Sequence, residues 1–135
     1  MSMTELLRLL RFGAVGLLAA AVHYWVVIGL VELLQIAPLK ANFGGFAVAF
    51  WFSYVGHRHW TFADHGAGSG SSSFMRFLAT ALLGFFLNQF LFYLLLQHAR
   101  LPYYISLAIV VLVVAVMTYV LSRLWAFRAH PASSS

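Results

Sequence analysis

Arg58 and Arg123 stand 65 positions apart in matched surroundings. The first lies in Ser53-Tyr54-Val55-Gly56-His57-Arg58-His59-Trp60-Thr61-Phe62, the second in Thr118-Tyr119-Val120-Leu121-Ser122-Arg123-Leu124-Trp125-Ala126-Phe127. Tyr, Val, Arg, Trp and Phe recur in register. Such a set can bind an anion: guanidinium offers phosphate oxygens a planar fork of donors and keeps its charge at any relevant pH. Tyr54 and Arg58 are four apart, as are Tyr119 and Arg123, so each pair shares a helix face. Two arginines on one cleft suit a lipid phosphodiester, and Trp60 and Trp125 beside them suit a sugar ring or an isoprenoid chain. The plainer reading is structural. Arginine ends a membrane span as a positive-inside signal, and Trp, Tyr and Phe form the interfacial belt.

Asn88 and Gln89 fall mid-way along an apolar run. Amides at that depth need partners, and they serve either as interhelical glue or as substrate contacts. His23 pairs with Asn88 at the same 65-residue offset; a neutral, hydrogen-bonded histidine or a proton-coupling one fits there. Glu32, the only acid near a span, sits at its outer end and reads as interfacial. His57 and His59 are two apart and point to different sides of a helix, so they build no metal site. Paired acids, a nucleophile elbow and a glycine-rich phosphate loop are all missing, which argues against an enzyme and against any cofactor.

The elements that must position these residues are membrane helices. The 135-residue chain is 63% hydrophobic and 8% charged, and three acids with eight Lys and Arg cannot cover a soluble domain of this size. Mean hydropathy is +0.90. There are no cysteines, hence no disulfides. Met1–Arg11 reads as an amphipathic lead-in or as the first turns of a helix entering the membrane, with no sign of a cleavable signal peptide. Four spans follow, Phe12 to Leu34, Leu39 to about His57, Phe77 to about Gln97 and Tyr104 to Ser122. The first, about 23 residues at roughly 1.5 Å each, is long enough to cross hydrocarbon. Tight connections at Gln35–Lys40 and His98–Tyr103 make two helical hairpins.

The 65-residue offset also pairs Arg11-Phe12 with Arg76-Phe77. The chain therefore reads as one transmembrane domain of two repeats, about 11–62 and 76–127, joined by a Gly/Ser linker at 63–73. The fold class is all-α, with four transmembrane helices in two hairpins that repeat in parallel, since each unit holds an even number of spans. Six basic residues (Arg8, Arg11, Arg58, Arg76, Arg123, Arg128) fall on one side of the membrane and two (Lys40, Arg100) on the other. The six should mark the cytoplasm, with both termini and the linker. The net charge of +5 flanks the apolar runs instead of forming a nucleic-acid patch. Gly13, Gly16, Gly44 and Gly45 offer close-packing surfaces, and a homodimer is the expected assembly.

At these residues the chain resembles the GtrA-like family of small membrane proteins. The resemblance rests on the Arg11-Phe12 opening, the Ser-Tyr-Val-Gly-His-Arg-His-Trp-Thr-Phe ending of the first unit, and the second Arg-x-Trp-x-Phe. It runs from about Arg8 to Arg128. The family's usual motif carries Asn where Ser53, His57, Thr118 and Ser122 stand here. The resemblance implies a role in cell-surface polysaccharide synthesis, moving polyprenyl-phosphate-linked sugars across the cytoplasmic (inner) membrane. The alternatives are a non-transporting scaffold for a membrane glycosyltransferase, or a small drug-efflux carrier. The last lacks the membrane-embedded carboxylate that proton-for-cation exchange needs.

Overall fold

The computed structural model describes residues 2–61 and 70–128, with side chains at 2–60 and 74–120. Four helices account for nearly all of it: α1 Met3–Leu34, α2 Pro38–Gly56, α3 Gly70–His98 and α4 Tyr103–Arg128. A π-helical segment, His57–Thr61, extends α2. They form the two expected hairpins, and α4 closes back onto α1.

α1 starts earlier than the first span predicts, and so takes up the lead-in as continuous helix. A capping box fixes its start: the Glu5 N–H donates to Ser2 Oγ at 3.2 Å, and the Ser2 N–H donates to Glu5 Oε2 at 3.1 Å. Two of the helix's orphan donors are satisfied reciprocally. At its other end Gln35 adopts left-handed backbone (φ 53°), and the N–H groups of Gln35 and Ile36 both reach Leu30 O. That folds the chain back on itself within three residues. Pro38 then opens α2 at a position where its missing N–H costs nothing.

α3 begins at Gly70, so residues 70–73 of the expected 63–73 linker belong to a helix. Serine costs little more than other polar residues in a first turn, and the apolar helix beyond propagates back through it. The rest of that linker, to residue 69, lies outside the described residues.

Three helices are long and apolar enough to cross a membrane by length and composition: α1, α3 and α4. α2 falls short because Lys40, Asn42 and paired glycines dilute its first half. Its polar group at Asn42 is fully buried, so α2 depends on the bundle where the others can face lipid directly.

The core is Val27, Ala41, Phe92, Leu107 and Val110, drawn from all four helices in the half nearest the hairpin loops. α2 meets α1 across Gly45, where an added Cβ would lie 2.8 Å from the His23 carbonyl oxygen. Only glycine permits that approach. Buried positions recur at the 65-residue separation: His23 with Asn88, Val27 with Phe92, Ala41 with Ser106, Asn42 with Leu107, and Gly45 with Val110. Toward the other end Ala115–Val120 of α4 are all exposed among the described residues. In lipid an apolar helix face loses nothing by this, so α4 can be buried at the loop end and exposed at the other.

Candidate functional site

The first copy of the arginine motif sits where α2 passes into π-helix. The wider π turn adds a residue to the ladder without changing composition, and such turns are frequent at functional sites. It buries His57 while leaving Arg58, His59 and Trp60 exposed. Phe12 of α1 stacks on the His57 ring at 4.7 Å between centroids, and Phe77 of α3 meets the same ring edge-on at 5.9 Å. Phe12 and Phe77 are partners at the 65-residue offset. One imidazole thus ties the starts of α1 and α3 together and sets Arg11 and Arg76, each the preceding residue, at the same end of the bundle.

Arg58 is held from its own helix. Its Nη1 donates to the Tyr54 hydroxyl at 2.9 Å, one turn back. Arg11 comes from α1: its guanidinium lies 5.9 Å from the centre of the Trp60 ring, and Nη1 donates to the Trp60 carbonyl at 3.4 Å. A cation over an indole face is a favourable contact. Behind Tyr54 the rings of Phe50, Trp51, Phe74 and Phe77 form a continuous aromatic wall between α2 and α3. Among the described residues each arginine spends at most two of its five N–H donors on these protein contacts, which leaves donors to offer an anion.

In the second copy, Tyr119 is exposed on α4. Arg123 and Trp125 also lie on α4, but their side chains fall outside the described residues.

His23 and Asn88 belong to a different place, about 18 Å from Arg11 by the rise along α1. Both are buried and joined through Asn42, which sequence reading did not single out. His23 Nε2 and Asn42 Oδ1 are 2.7 Å apart. Asn42 Nδ2 donates to Asn88 Oδ1 at 2.8 Å and to Gln89 Oε1 at 2.7 Å. Gln89 Nε2 donates to the Leu39 carbonyl at 3.0 Å. With both amide protons of Asn42 committed, its oxygen must accept, which fixes the proton on His23 Nε2. Three helices are joined by one amide. Its signal in the sequence is an Asn one turn inside an apolar helix, obscured there by the nearby Pro38 and Lys40. The bonds of Asn88 and Gln89 run to protein groups, as interhelical glue requires.

Apart from the α4 copy, Tyr119, Arg123 and Trp125, the candidate site residues fall into two groups: Tyr54, Arg58 and Trp60 at the end away from the hairpin loops, and His23 and Asn88 in the buried network. A family model described as GtrA/DPMS, transmembrane domain, matches residues 11–127. Those limits coincide with the Arg11-to-Phe127 extent over which the residue repeat runs. No curated protein and no solved structure matches the chain.

Proposed function

Because the chain belongs to the GtrA/DPMS transmembrane domain family, we propose that it handles polyprenyl-phosphate-linked sugars in the cytoplasmic membrane, moving them between its faces for cell-surface polysaccharide synthesis. The role is that of a carrier, with no bond made or broken. The observation that carries this reading is the pre-set Arg58, fixed by Tyr54 at the exposed end of a π turn, with Arg11 beside it over Trp60. A fork of donors already held in place loses less entropy on meeting a phosphate than a free side chain does. The adjoining aromatic wall and the exposed part of α4 leave an apolar route for a polyprenyl chain from the lipid side.

The test is translocation in liposomes. A fluorescent short-chain polyprenyl-phosphate-sugar is placed in both leaflets, and periodate, which does not cross the bilayer, is added outside. Wild-type protein should bring the inner-leaflet fraction to oxidation, and Arg58→Gln should slow it. Kinetics equal to protein-free liposomes would overturn translocation and favour the scaffold reading, in which a membrane glycosyltransferase is the partner.

The orientation belongs to the same proposal. With both termini in the cytoplasm, Ser71→Cys and Ser134→Cys should each resist a membrane-impermeant thiol reagent in intact cells. The chain has no native cysteine, so the readout is clean. Labelling of either from outside sinks the orientation. For a dimer, Gly44 and Gly45 face Leu30, Val27 and His23 of the same chain and offer no surface to a partner, while Gly13 and Gly16 open outward.

A further inference from the structure

At the loop end, far from the arginine motif, α1 and α4 are joined by two hydrogen bonds. The Tyr103 hydroxyl donates to Glu32 Oε1 at 2.6 Å, and the Tyr24 hydroxyl donates to the Tyr104 carbonyl at 3.0 Å. Glu32 is exposed. Lys40 and Arg100 are the basic residues of this end, yet neither pairs with Glu32 among the described residues. The carboxylate is thus pinned by a neutral hydroxyl, with no basic partner among the described residues. Its second oxygen has no hydrogen bond among the described residues, so most of its acceptor sites are open to a ligand. Next to Tyr103 in the chain, the Tyr104 ring stands edge-on to the Tyr103 ring, 5.7 Å between centroids, and is 45% exposed.

We propose that Glu32, Tyr103 and Tyr104 form a second binding site, for a neutral sugar ring. An ionised carboxylate accepts hydrogen bonds from vicinal hydroxyls, and charge-assisted bonds of this kind are the strong ones. The Tyr104 face covers the apolar C–H side of the ring. Twenty-one residues of α1 separate Arg11 from Glu32, about 32 Å by helical rise, close to the thickness of the hydrocarbon. The phosphate-facing arginines and this site therefore lie at opposite membrane faces. The inference rests on the carrier reading for its purpose: the loop-end site receives the sugar headgroup once the lipid has crossed. An interfacial tyrosine–glutamate tie with no ligand is the competing account.

The experiment uses full-length protein in nanodiscs and saturation-transfer NMR with methyl glucoside, methyl mannoside and methyl galactoside. At least one glycoside should receive saturation from wild type. Glu32→Gln should weaken that binding roughly tenfold or more, the loss of one charge-assisted contact, and Tyr104→Ala should weaken it by removing the apolar face. Tyr104→Ala is the decisive variant if Glu32→Gln proves unstable, because the Tyr104 carbonyl still receives the Tyr24 hydroxyl. Arg58→Gln should leave glycoside binding unchanged, and sugar-free polyprenyl phosphate should bind Glu32→Gln as it binds wild type. No transfer to any glycoside, or equal transfer in wild type, Glu32→Gln and Tyr104→Ala, overturns the site. Glycoside binding that depends on Glu32, with no polyprenyl-phosphate binding by wild type, upholds this site and removes the carrier reading.

Discussion

Arg58→Gln is expected to weaken binding of a polyprenyl-phosphate-sugar by roughly 10- to 150-fold, measured on correctly inserted protein. The magnitude follows from one charge-assisted hydrogen bond, on the order of 1.5–3 kcal/mol, at about 1.4 kcal/mol per tenfold. Arg58→Lys should recover only part of the loss, since ammonium has the charge without the planar fork. Tyr54→Phe should cost less than Arg58→Gln, because it frees the guanidinium from its 2.9 Å tether without removing it. Arg123→Gln and Arg123→Lys should follow the same order if the second copy of the motif meets the same phosphate. The pattern across variants carries the argument. A residue that only marks the cytoplasmic face is replaced fully by lysine, and its glutamine variant disturbs insertion more than affinity. Unchanged affinity in both arginine positions would return the motif to that topological role.

Much of this arrangement was legible in the residues. The repeat located Arg58, Phe12 and Phe77, and hydropathy located the helices, because both signals are local. What was not legible depends on how the helices meet. Nothing in the sequence says that Phe12 and Phe77 close on one imidazole, since that requires α1 and α3 to approach at the level of His57. The π turn is equally silent, because moving from a four- to a five-residue ladder changes no residue type. Ser2 and Glu5 did spell a capping box, which the apolar leucines after them overshadowed. Asn42 was obscured for another reason. It lies four residues past Pro38, a distance that suggests a helix end at the membrane surface. The Gln35 turn brings the chain back to Leu30 before α2 begins, and α1 overshoots it, so Asn42 reaches His23 inside the bundle. Depth in the membrane was set by tertiary structure and not by distance along the chain.

Asn42→Leu is therefore expected to have the largest effect on stability. The substitution keeps the forked side-chain shape and heavy-atom count and removes every bond the amide makes, depriving the His23 N–H, Asn88 Oδ1 and Gln89 Oε1 of a partner at once. Two magnitudes bracket the outcome. Interhelical hydrogen bonds in membrane proteins average about 0.6 kcal/mol, which for three bonds sets a floor near 2 kcal/mol. Stranding a buried polar group costs about 1–3 kcal/mol, which for three groups sets a ceiling several-fold higher. Gln89 retains its bond to the Leu39 carbonyl, so the lower half of the range should prevail, about 2–4 kcal/mol. Reversible unfolding in bicelles measures it. Asn88→Leu alone should also destabilise, and the double variant should lose less than the sum of the two, because each single change strands what the other removes. Strict additivity would show that the two amides act independently. A loss below about 0.5 kcal/mol for Asn42→Leu, within the scatter of ordinary surface changes, would mean that water or a neighbouring amide replaces Asn42. The stability of the three-helix contact would then rest chiefly on apolar packing, with the close approach of α1 and α2 at Gly45.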